Sequence, residues 1–331
     1  MSQENIISLN VDRQISKMKG LAKLARKLKP MAIILQDLPN ICNPQIRELC
    51  NYDNTADPRM TYYDAYTSHT NRISLDFIND QTSMKRENII MVDKRIKVKT
   101  ISLNQNLSEL ASMLGIQIQL EDGRRFQLYS IYIRPRAEYR DIENIFKAIK
   151  NTNKELGNSR TLILGDINAE AAEWAPYDRT ILNSHYNQRS DKHYHQVKLS
   201  RGRTISTLLK NMKLTILNKL ECGPTYYGNQ LARDDSLQTA YIDIAAVGNK
   251  AHRIWKNFEL VEIENANSIS KGHLAMVISA RYMSQKTPEH RKAINIEKRE
   301  TKYKYPLNRL TEKHFIELKM RLNKKCQDWE R

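Results

Sequence analysis

The chain has 331 residues, and its 54 Lys and Arg against 37 Asp and Glu give a formal net charge of +17. That length suits one large domain or two ordinary ones, and 40% hydrophobic residues can supply a buried core. No apolar stretch approaches the roughly 20 residues of a membrane-spanning helix, and the four cysteines form no CxxC pair. We therefore expect no membrane segment and no disulfide framework. The positive charge favours a polyanionic partner, most simply nucleic acid.

The first predicted elements are a strand at residues 5–9, a helix at 14–28 and a strand at 31–35. In the helix, apolar residues recur at three- and four-residue steps, with Lys and Arg on the other face. The second strand is a continuous apolar run, which is typical of a strand buried on both faces. This strand–helix–strand opening predicts a layered α/β fold.

The same pattern continues along the chain. Further strands are predicted at 88–92, 97–103, 116–120, 126–133, 161–164, 214–217, 241–247 and 274–280, and further helices at 142–156 and 204–212.

Two segments differ from the rest in composition. Residues 177–199 are polar and rich in His, Lys and Arg, which predicts a long loop insertion. Residues 285–331 are basic and contain a helical apolar stripe that needs a partner surface. We interpret them as a basic helical tail or linker outside a main domain at 1–284, and the chain as a possible fragment of a larger polyprotein.

Polar residues follow or interrupt several of the apolar strands, where they are unexpected. They are four Asp, two Asn and one His: Asn10, Asp12, Asp37, Asp166, Asn168, Asp243 and His273. Buried carboxylates are costly unless they are paired or bound to a metal. If neighbouring strands present these groups at one end of a sheet, they form a hard-cation site beside a titratable group.

Each of these residues also has an ordinary alternative. Asn10 and Asp12 could cap the following helix, and Asp37 could be a turn residue. Asp166 and Asn168 flank a Gly-Asp turn, and a single histidine is more often structural than catalytic. Asp243 lies within an apolar strand and has no capping role, so the functional interpretation depends on the set as a whole.

Six short motifs, in this order, resemble those of the endonuclease/exonuclease/phosphatase superfamily, which includes deoxyribonuclease I and exonuclease III-type enzymes. They are Asn10-x-Asp12, Leu35-Gln36-Asp37, Tyr132 at a strand end, Gly165-Asp166-Ile167-Asn168-Ala169, Ala240-Tyr241-Ile242-Asp243 and Lys271-Gly272-His273. The resemblance implies a four-layer α/β sandwich, in which two packed mixed β-sheets are flanked by helices. It covers about residues 5–283.

One branch of that superfamily, the endonuclease domains of non-LTR (LINE-type) retrotransposons, is similar at additional positions. These are Trp174, Arg201-Gly202, the segment 214–218 and Pro224-Thr225-Tyr226. The resemblance then implies a DNA endonuclease whose nick leaves a 3′-hydroxyl that primes reverse transcription. Nuclear location and a reverse transcriptase domain absent from this chain are the corresponding expectations. An intracellular rather than secreted protein agrees with the absence of a signal-peptide pattern.

The resemblance also implies a role for each site residue, with Mg²⁺ or Mn²⁺ as the cofactor. Asp37 would bind the metal with Asp12 in its outer shell, and Asp166 would orient or deprotonate the attacking water. Asn168 would hold that water or the phosphate, and His273, charged by Asp243, would neutralise a phosphate oxygen. Asn10 and Tyr132 would donate hydrogen bonds to the phosphate. The DNA backbone would contact four arginines: Arg134, Arg136, Arg201 and Arg203.

Two departures from the superfamily pattern leave alternatives open. Asp37 stands where Glu is usual, and Gly272 stands where Asp normally precedes the histidine. Loss of that carboxylate should weaken metal binding, so a catalytically weak or inactive nucleic-acid-binding domain is one alternative. Cleavage rescued by Gly272→Asp would speak against it. An apurinic-type repair endonuclease or a phosphatase of the same superfamily is the other alternative.

Overall fold

The fold is seen in a computed structural model of the chain. The structure describes residues 4–38, 49, 63–67, 70–73, 88–101, 110–120, 122–153, 156–170, 192–218, 222–231, 237–263 and 272–280.

The described strands are, in chain order, β1 (Asn5–Asn10), β2 (Ala32–Gln36), β3 (Tyr63–Thr67), β4 (Thr70–Ile73), β5 (Asn88–Asp93), β6 (Lys97–Thr100), β7 (Ala111–Gln119), β8 (Arg125–Ile133), β9 (Thr161–Asp166), β10 (Leu214–Ile216), β11 (Tyr226–Leu231), β12 (Leu237–Ala240), β13 (Asp243–Gly248), β14 (Trp255–Val261), β15 (Gly272–His273) and β16 (Ala275–Ala280). The helices are α1 (Ile15–Leu28), α2 (Tyr139–Thr152), α3 (Lys192–Asn211) and the short α4 (Asn249–His252), with a 3-10 turn at Asn158–Arg160.

Two large mixed sheets carry the fold. The first has the strand order β14-β16-β1-β2-β5-β3-β4, and the second has the order β10-β13-β9-β8-β7-β6. In each sheet one parallel pair lies among antiparallel pairs: β1 with β2, and β8 with β9. A small sheet, β12-β11-β15, brings residues 272 and 273 to the end of the sandwich.

The layers follow from which side chains are buried together. One core lies between the two sheets and includes Ile34, Ile90, Leu128 and Leu164. A second core packs α1 on the outer face of the first sheet, and a third packs α2 and α3 on the outer face of the second. The predicted four-layer α/β sandwich is confirmed.

A row of hydrogen-bonded polar side chains crosses the inter-sheet core. The Gln36 amide donates to Ser130 Oγ over 3.3 Å, and the Ser130 hydroxyl donates to Asn88 Oδ1 over 3.0 Å. The Asn88 amide in turn donates to Ser112 Oγ over 2.7 Å. Gln36, Asn88 and Ser130 are completely buried, so these bonds satisfy groups that would otherwise cost free energy inside the sandwich.

The predicted loop at 177–199 is wrong for residues 192–199, which are the first turns of α3. The helix was not predicted here because the stretch is polar and lacks an apolar period. It can form because extending a helix adds one backbone hydrogen bond for each residue. The helix predicted at 204–212 therefore begins earlier, and Gly202 lies inside α3. The remainder of that segment, Trp174 and the tail at 285–331 lie outside the described residues, so those predictions stay predictions. No helix in the described part of the chain is long and apolar enough to cross a bilayer.

Candidate active site

Asp12 and Asp37 lie side by side because β1 and β2 are parallel and end together. Asn10 is in register with Gln36, and the pairing continues past the strands, since Val11 N–H donates to the Gln36 carbonyl (3.0 Å) and Arg13 N–H to the Asp37 carbonyl (2.9 Å). Both aspartates have positive φ, 52° and 47°. Asp tolerates this left-handed conformation better than most residues, which is why the chain can turn sharply at each strand end.

Three neighbouring strands of the second sheet place Tyr132, Asp166 and Asp243 in one row. Tyr132 on β8 is in register with Asp166 on β9, and Asp166 is in register with Asp243 on β13. Beyond the strand end, Ile167 N–H donates to the Ile242 carbonyl over 2.9 Å and holds the turn that carries Asn168. The pairing of adjacent strands thus brings together residues that are over 100 positions apart in the sequence.

His273 reaches this row through the small sheet. It is in register with Tyr226 on β11, whose ring contacts the imidazole edge to face with centroids 4.9 Å apart. The Thr225 carbonyl accepts a hydrogen bond from Leu274 N–H over 2.8 Å. The Thr225 hydroxyl oxygen accepts bonds from the N–H groups of Ile242 and Asp243, each over 3.1 Å. Thr225 therefore ties the backbone of His273 to that of Asp243.

Asp166 is the centre of the hydrogen-bond network. The Asn10 amide, from the other sheet, donates to Asp166 Oδ2 over 2.7 Å. Asn168 donates its backbone N–H to Oδ1 over 2.8 Å and its side-chain amide to Oδ2 over 3.0 Å. Burial raises the pKa of Asp166 to about 7, although the His273 charge opposes that increase. A carboxyl with a pKa in this range is suited to accept a proton near neutral pH.

Asp243 is hydrogen-bonded to the Nδ1 atom of His273. The His273 Nδ1 atom lies 2.8 Å and 3.0 Å from the two Asp243 carboxylate oxygens, while Nε2 lies 3.8 Å from Asp166 Oδ2. Burial alone would lower the pKa of His273, but the charge of Asp243 and its hydrogen bond outweigh burial and raise it. These interactions favour the protonated ring, and Nε2 lies on the side of Asp166. We call Asp166, Asp243 and His273 the acid–base side of the site.

Tyr132 connects the two sheets at the mouth of this network. Its hydroxyl hydrogen-bonds to Asp37, and burial together with the charges of Asp37 and Asp166 raises its pKa. Tyr132 is therefore a neutral hydrogen-bond donor at any ordinary pH. The structure thus brings the predicted residues Asn10, Asp12, Asp37, Tyr132, Asp166, Asn168, Asp243 and His273 into a single site.

The other side of the site, which we call the Asp12 corner, consists of Asp12, Lys17 and Gly272. Lys17 is 2% exposed, although the helix pattern predicted lysines on the solvent face of α1, so that prediction is wrong at this position. A Cβ atom on Gly272 would lie 2.5 Å from Lys17 Nζ and 3.8 Å from Asp12 Oδ2. Nearby, Asp37 pairs with Arg13 over 3.2 Å.

The carboxylates predicted to bind a divalent cation already have positively charged neighbours. The predicted ligands, Asp37 and Asp12, each face a cation, respectively Arg13 and Lys17, and no carboxylate stands at 272. As arranged here, the Asp12 corner does not fit a tightly bound divalent ion. On the acid–base side, Asp166, Asp243 and His273 each offer a ligand atom within 4.8 Å of the others, which is a possible metal site. The hydrogen bonds between His273 and Asp243 fit a histidine–carboxylate pair better.

The arginines predicted to bind DNA divide into two groups. Arg136 and Arg203 are exposed and Arg134 is half-buried, so they can contact a phosphate backbone. Arg201 is 2% exposed, and its guanidinium donates to the carbonyls of Pro135 (2.7 Å) and Arg134 (3.1 Å). The prediction for Arg201 is therefore corrected: it supports the loop that carries Arg134 and Arg136, and does not itself face DNA.

Three supporting residues carry functions that the sequence did not reveal. Thr225 appeared only in a motif of the resemblance, and its two backbone contacts become visible in the structure. Asn218 similarly fixes the start of β13, since its amide donates to the Asp243 carbonyl and its Oδ1 accepts from Ala245 N–H, both over 2.8 Å. Lys17 had no sequence signal that set it apart from the other lysines of α1.

Comparison with known proteins agrees with this architecture. A family model described as "Endonuclease-reverse transcriptase" matches residues 126–273. The endonuclease domain of TRAS1, a telomere-specific non-LTR retrotransposon, is similar with a TM-score of 0.56 and 16% identity, covering 85% of this chain and 99% of that one. The chain has the fold of the endonuclease/exonuclease/phosphatase superfamily. The predicted resemblance to that superfamily is confirmed.

Two other structures of the superfamily fold were solved with nucleic acid. TDP2 from D. rerio, complexed with a single-strand DNA product, has a TM-score of 0.51 and 12% identity, covering 85% of this chain and 100% of that one. The 3′ phosphatase NExo from Neisseria, bound to a product DNA hairpin, has a TM-score of 0.50 and 12% identity, covering 84% and 100%. A sequence search among curated proteins finds no match. The superfamily contains divalent-metal-dependent hydrolytic nucleases and phosphatases.

Proposed function

We propose that this protein is a phosphodiesterase that nicks DNA and leaves a 3′-hydroxyl. The observation that carries the proposal is one buried hydrogen-bonded set at the meeting point of the two sheets. In it, Asp166 is held by Asn10 and Asn168, and His273 is held by Asp243. This set offers a proton acceptor and a positively charged donor only 3.8 Å apart. Hydrolysis of a phosphodiester needs both groups.

The chemistry assigned to these residues balances without any further group. Asp166 accepts a proton from water, whose oxygen attacks phosphorus. The bond from phosphorus to O3′ breaks, and the leaving oxygen takes a proton from water to become the 3′-hydroxyl. His273 stabilises the developing negative charge on a non-bridging oxygen through Nε2–H. Asn10 donates a further hydrogen bond to the phosphate, and Tyr132 does so when its hydroxyl turns from Asp37 to the phosphate. Such preorganised donors are typically worth about 2.7–4 kcal/mol each.

DNA is the proposed partner because of the chain's charge and the exposed arginines beside the site. The net charge is +17, and Arg136 and Arg203 are exposed near the strand end that carries Tyr132. Two similar structures were also solved with DNA products. The retrotransposon branch adds the finer proposals, which are priming of reverse transcription, a reverse transcriptase domain as partner, and a nuclear location.

Mg²⁺, or Mn²⁺ in its place, is proposed only as a weakly held cofactor. If a divalent ion binds, Asp37 and Asp12 are the carboxylates that would hold it, and it would supply charge neutralisation at the phosphate. Because both already face cations, no step above depends on it.

The first test is a supercoiled-plasmid nicking assay of the full chain, with and without chelator. We expect nicked circles whose ends are extended by a DNA polymerase, which requires a 3′-hydroxyl. Asp166→Asn and His273→Gln should each abolish nicking. Matched controls are Asp122→Asn, in an exposed turn, and His252→Gln, in α4, which should nick like the unmodified protein.

The other outcomes of this assay identify the alternatives. Nicking that persists in both site variants would reject the assigned roles. Cleavage confined to an abasic oligonucleotide, or release of phosphate from inositol phosphates or a 3′-phosphate end, would identify the repair or phosphatase activity. DNA binding with no cleavage under any condition would favour the binding-only domain, the alternative that Gly272 supports.

A further inference from the structure

The most unusual group in the site is the amine of Lys17. The residue is 2% exposed, and Nζ has no hydrogen-bond partner among the residues that the structure describes. An ammonium group has three donors, and leaving them unpaired inside a protein is costly. Lysines are rarely buried unless a compensating charge is close, so this position needs an explanation.

Gly272 explains how the lysine fits. A Cβ atom at this position would lie 2.5 Å from Nζ and 3.3 Å from Cε of Lys17, so the space beside the glycine backbone is occupied by the lysine tip. The φ of Gly272 is +106°, a conformation that disfavours any residue with a side chain. The glycine that replaces the superfamily's aspartate and the buried lysine are therefore two parts of one arrangement.

The neighbouring charges indicate what the lysine does there. Burial lowers the pKa of Lys17, and the carboxylates of Asp12 and Asp243 oppose this decrease. The Lys17 charge also acts on His273. The tip of Lys17 thus lies between Asp12 and the acid–base side, where a cation beside Asp12 would neutralise negative charge. In Asp37, the second predicted metal ligand, Oδ1 is already paired with Arg13.

We propose that the Lys17 ammonium group takes the place of a divalent cation beside Asp12, and that Gly272 provides the space for it. This inference deepens the proposed function, on which it rests, by assigning part of the charge neutralisation at the phosphate to the protein itself. A consequence is that Gly272→Asp alone does not restore a metal site, since the new side chain would meet Lys17 and adopt a strained φ. Failure of Gly272→Asp to restore cleavage would therefore not by itself identify a binding-only domain.

The test is Mn²⁺ binding to the full chain, measured by calorimetry without DNA. Lys17→Met removes the charge and keeps an apolar chain of similar length, so we expect Mn²⁺ to bind at least about tenfold more tightly, a change of about 1.4 kcal/mol. Lys19→Met is the matched control, because it removes the same charge from the exposed face of the same helix and should leave the affinity unchanged. Equal affinities in the unmodified chain and Lys17→Met would overturn the proposal.

Two further measurements keep the proposal testable if Lys17→Met does not fold. Lys17→Gln, which keeps a polar tip, should show the same direction of change. The unmodified chain itself should bind Mn²⁺ weakly, with a Kd of about 1 mM or above. A Kd near 1 µM would contradict the proposal without any variant. Because no DNA is present, a chain that fails to nick still gives a clear answer about Lys17.

Discussion

The acid–base side and the Asp12 corner lie in one cleft but satisfy their polar groups in opposite ways. On the acid–base side, Asp166 and His273 are buried and each has short hydrogen bonds to named partners. In the Asp12 corner, Lys17 is equally buried but its Nζ has no hydrogen-bond partner among the described residues. The first arrangement depends on the hydrogen-bonding groups of each residue, whereas the second depends on charge and on the space beside Gly272.

This difference indicates which part of the superfamily's chemistry the chain retains. The groups to which we assign proton transfer and phosphate binding are present with short, directional contacts. The groups that would hold a metal are altered at two positions, Asp37 and Gly272, and each remaining carboxylate faces a cation. Hydrogen-bond networks depend on precise partners, while charge can be supplied by different groups, so the two sides can change independently.

The largest expected effect comes from comparing Asp166→Asn with Asp12→Asn. Loss of a general base typically costs about 10²–10⁴-fold, so Asp166→Asn should lower the nicking rate by that factor. Asp12→Asn leaves Lys17 without its nearest counter-charge. Its main effect should be a loss of about 1–3 kcal/mol in the free energy of unfolding. Single-turnover nicking and urea denaturation of both variants measure the two effects.

A loss of nicking rate in Asp12→Asn and a loss of stability in Asp166→Asn would contradict this comparison. A rate loss in Asp12→Asn as large as that in Asp166→Asn, with both proteins folded, would mean that Asp12 itself takes a direct part in the chemistry.

The second prediction concerns the pH dependence of nicking, which sharpens the role of the Asp243–His273 pair. The raised pKa of His273 keeps the ring charged, so activity should persist above pH 6.5 and fall as the pH rises through that raised value. In Asp243→Asn burial remains but the main opposing charge is lost, so the pKa of His273 should drop. The alkaline limb of the pH–rate profile should then move to lower pH.

The titration of His273 also makes the stability of the fold depend on pH. His273 has a higher pKa in the folded state than in the unfolded state, so its charged form stabilises the fold below about pH 6.5. That contribution is lost as the pH rises through the folded pKa. The difference in melting temperature between the unmodified chain and Asp243→Asn should therefore be larger at pH 6 than at pH 9. A constant difference would contradict the ion pair.

The sequence predicted best those strands whose burial follows from a local pattern of apolar residues. The strands β1, β2, β5, β8, β9, β13 and β16 are rich in apolar residues, and all were predicted. The candidate acid–base residues stood out for a related reason, since Asp243 interrupts an apolar stretch of sequence and has no capping role there.

The features that the sequence could not predict depend on the orientation of individual side chains on a helix. Lys17 and Lys19 have similar neighbours in sequence, yet one is buried beside Gly272 and the other is exposed. Arg201 and Arg203 differ in the same way, because only Arg201 faces the carbonyls of the 134–135 loop. Tertiary packing decides these orientations, and no local pattern encodes it.

Thr225→Val should produce an intermediate effect on the acid–base side. The Thr225 hydroxyl accepts two backbone hydrogen bonds in a fully buried position, so its loss should cost about 1–3 kcal/mol of unfolding free energy and reduce nicking. Thr225→Ser keeps the hydroxyl and should recover most of both losses. Thr207→Val, at an exposed position of α3, is the control and should change neither. Equal behaviour of the Ser and Val variants would exclude the hydroxyl as the cause.

The smallest effects are expected at the surface arginines, where they separate contact from support. Arg136→Ala and Arg203→Ala should each weaken DNA binding modestly and reduce the slope of log affinity against log salt by about 1. Arg201→Met should lower the melting temperature, because it removes two bonds to backbone carbonyls, and leave that slope nearly unchanged. Fluorescence anisotropy across a salt series distinguishes them, and a reduced slope in Arg201→Met would restore it to the DNA-contacting set.

The polar row through the inter-sheet core has a consequence for how the cleft responds to a ligand. Two sheets packed only through methyl groups can shear past one another by small amounts at little cost. Here such sliding would break the Gln36–Ser130 and Ser130–Asn88 bonds where no water can replace them. The floor of the cleft therefore behaves as one rigid piece, to which a bound duplex would have to adapt.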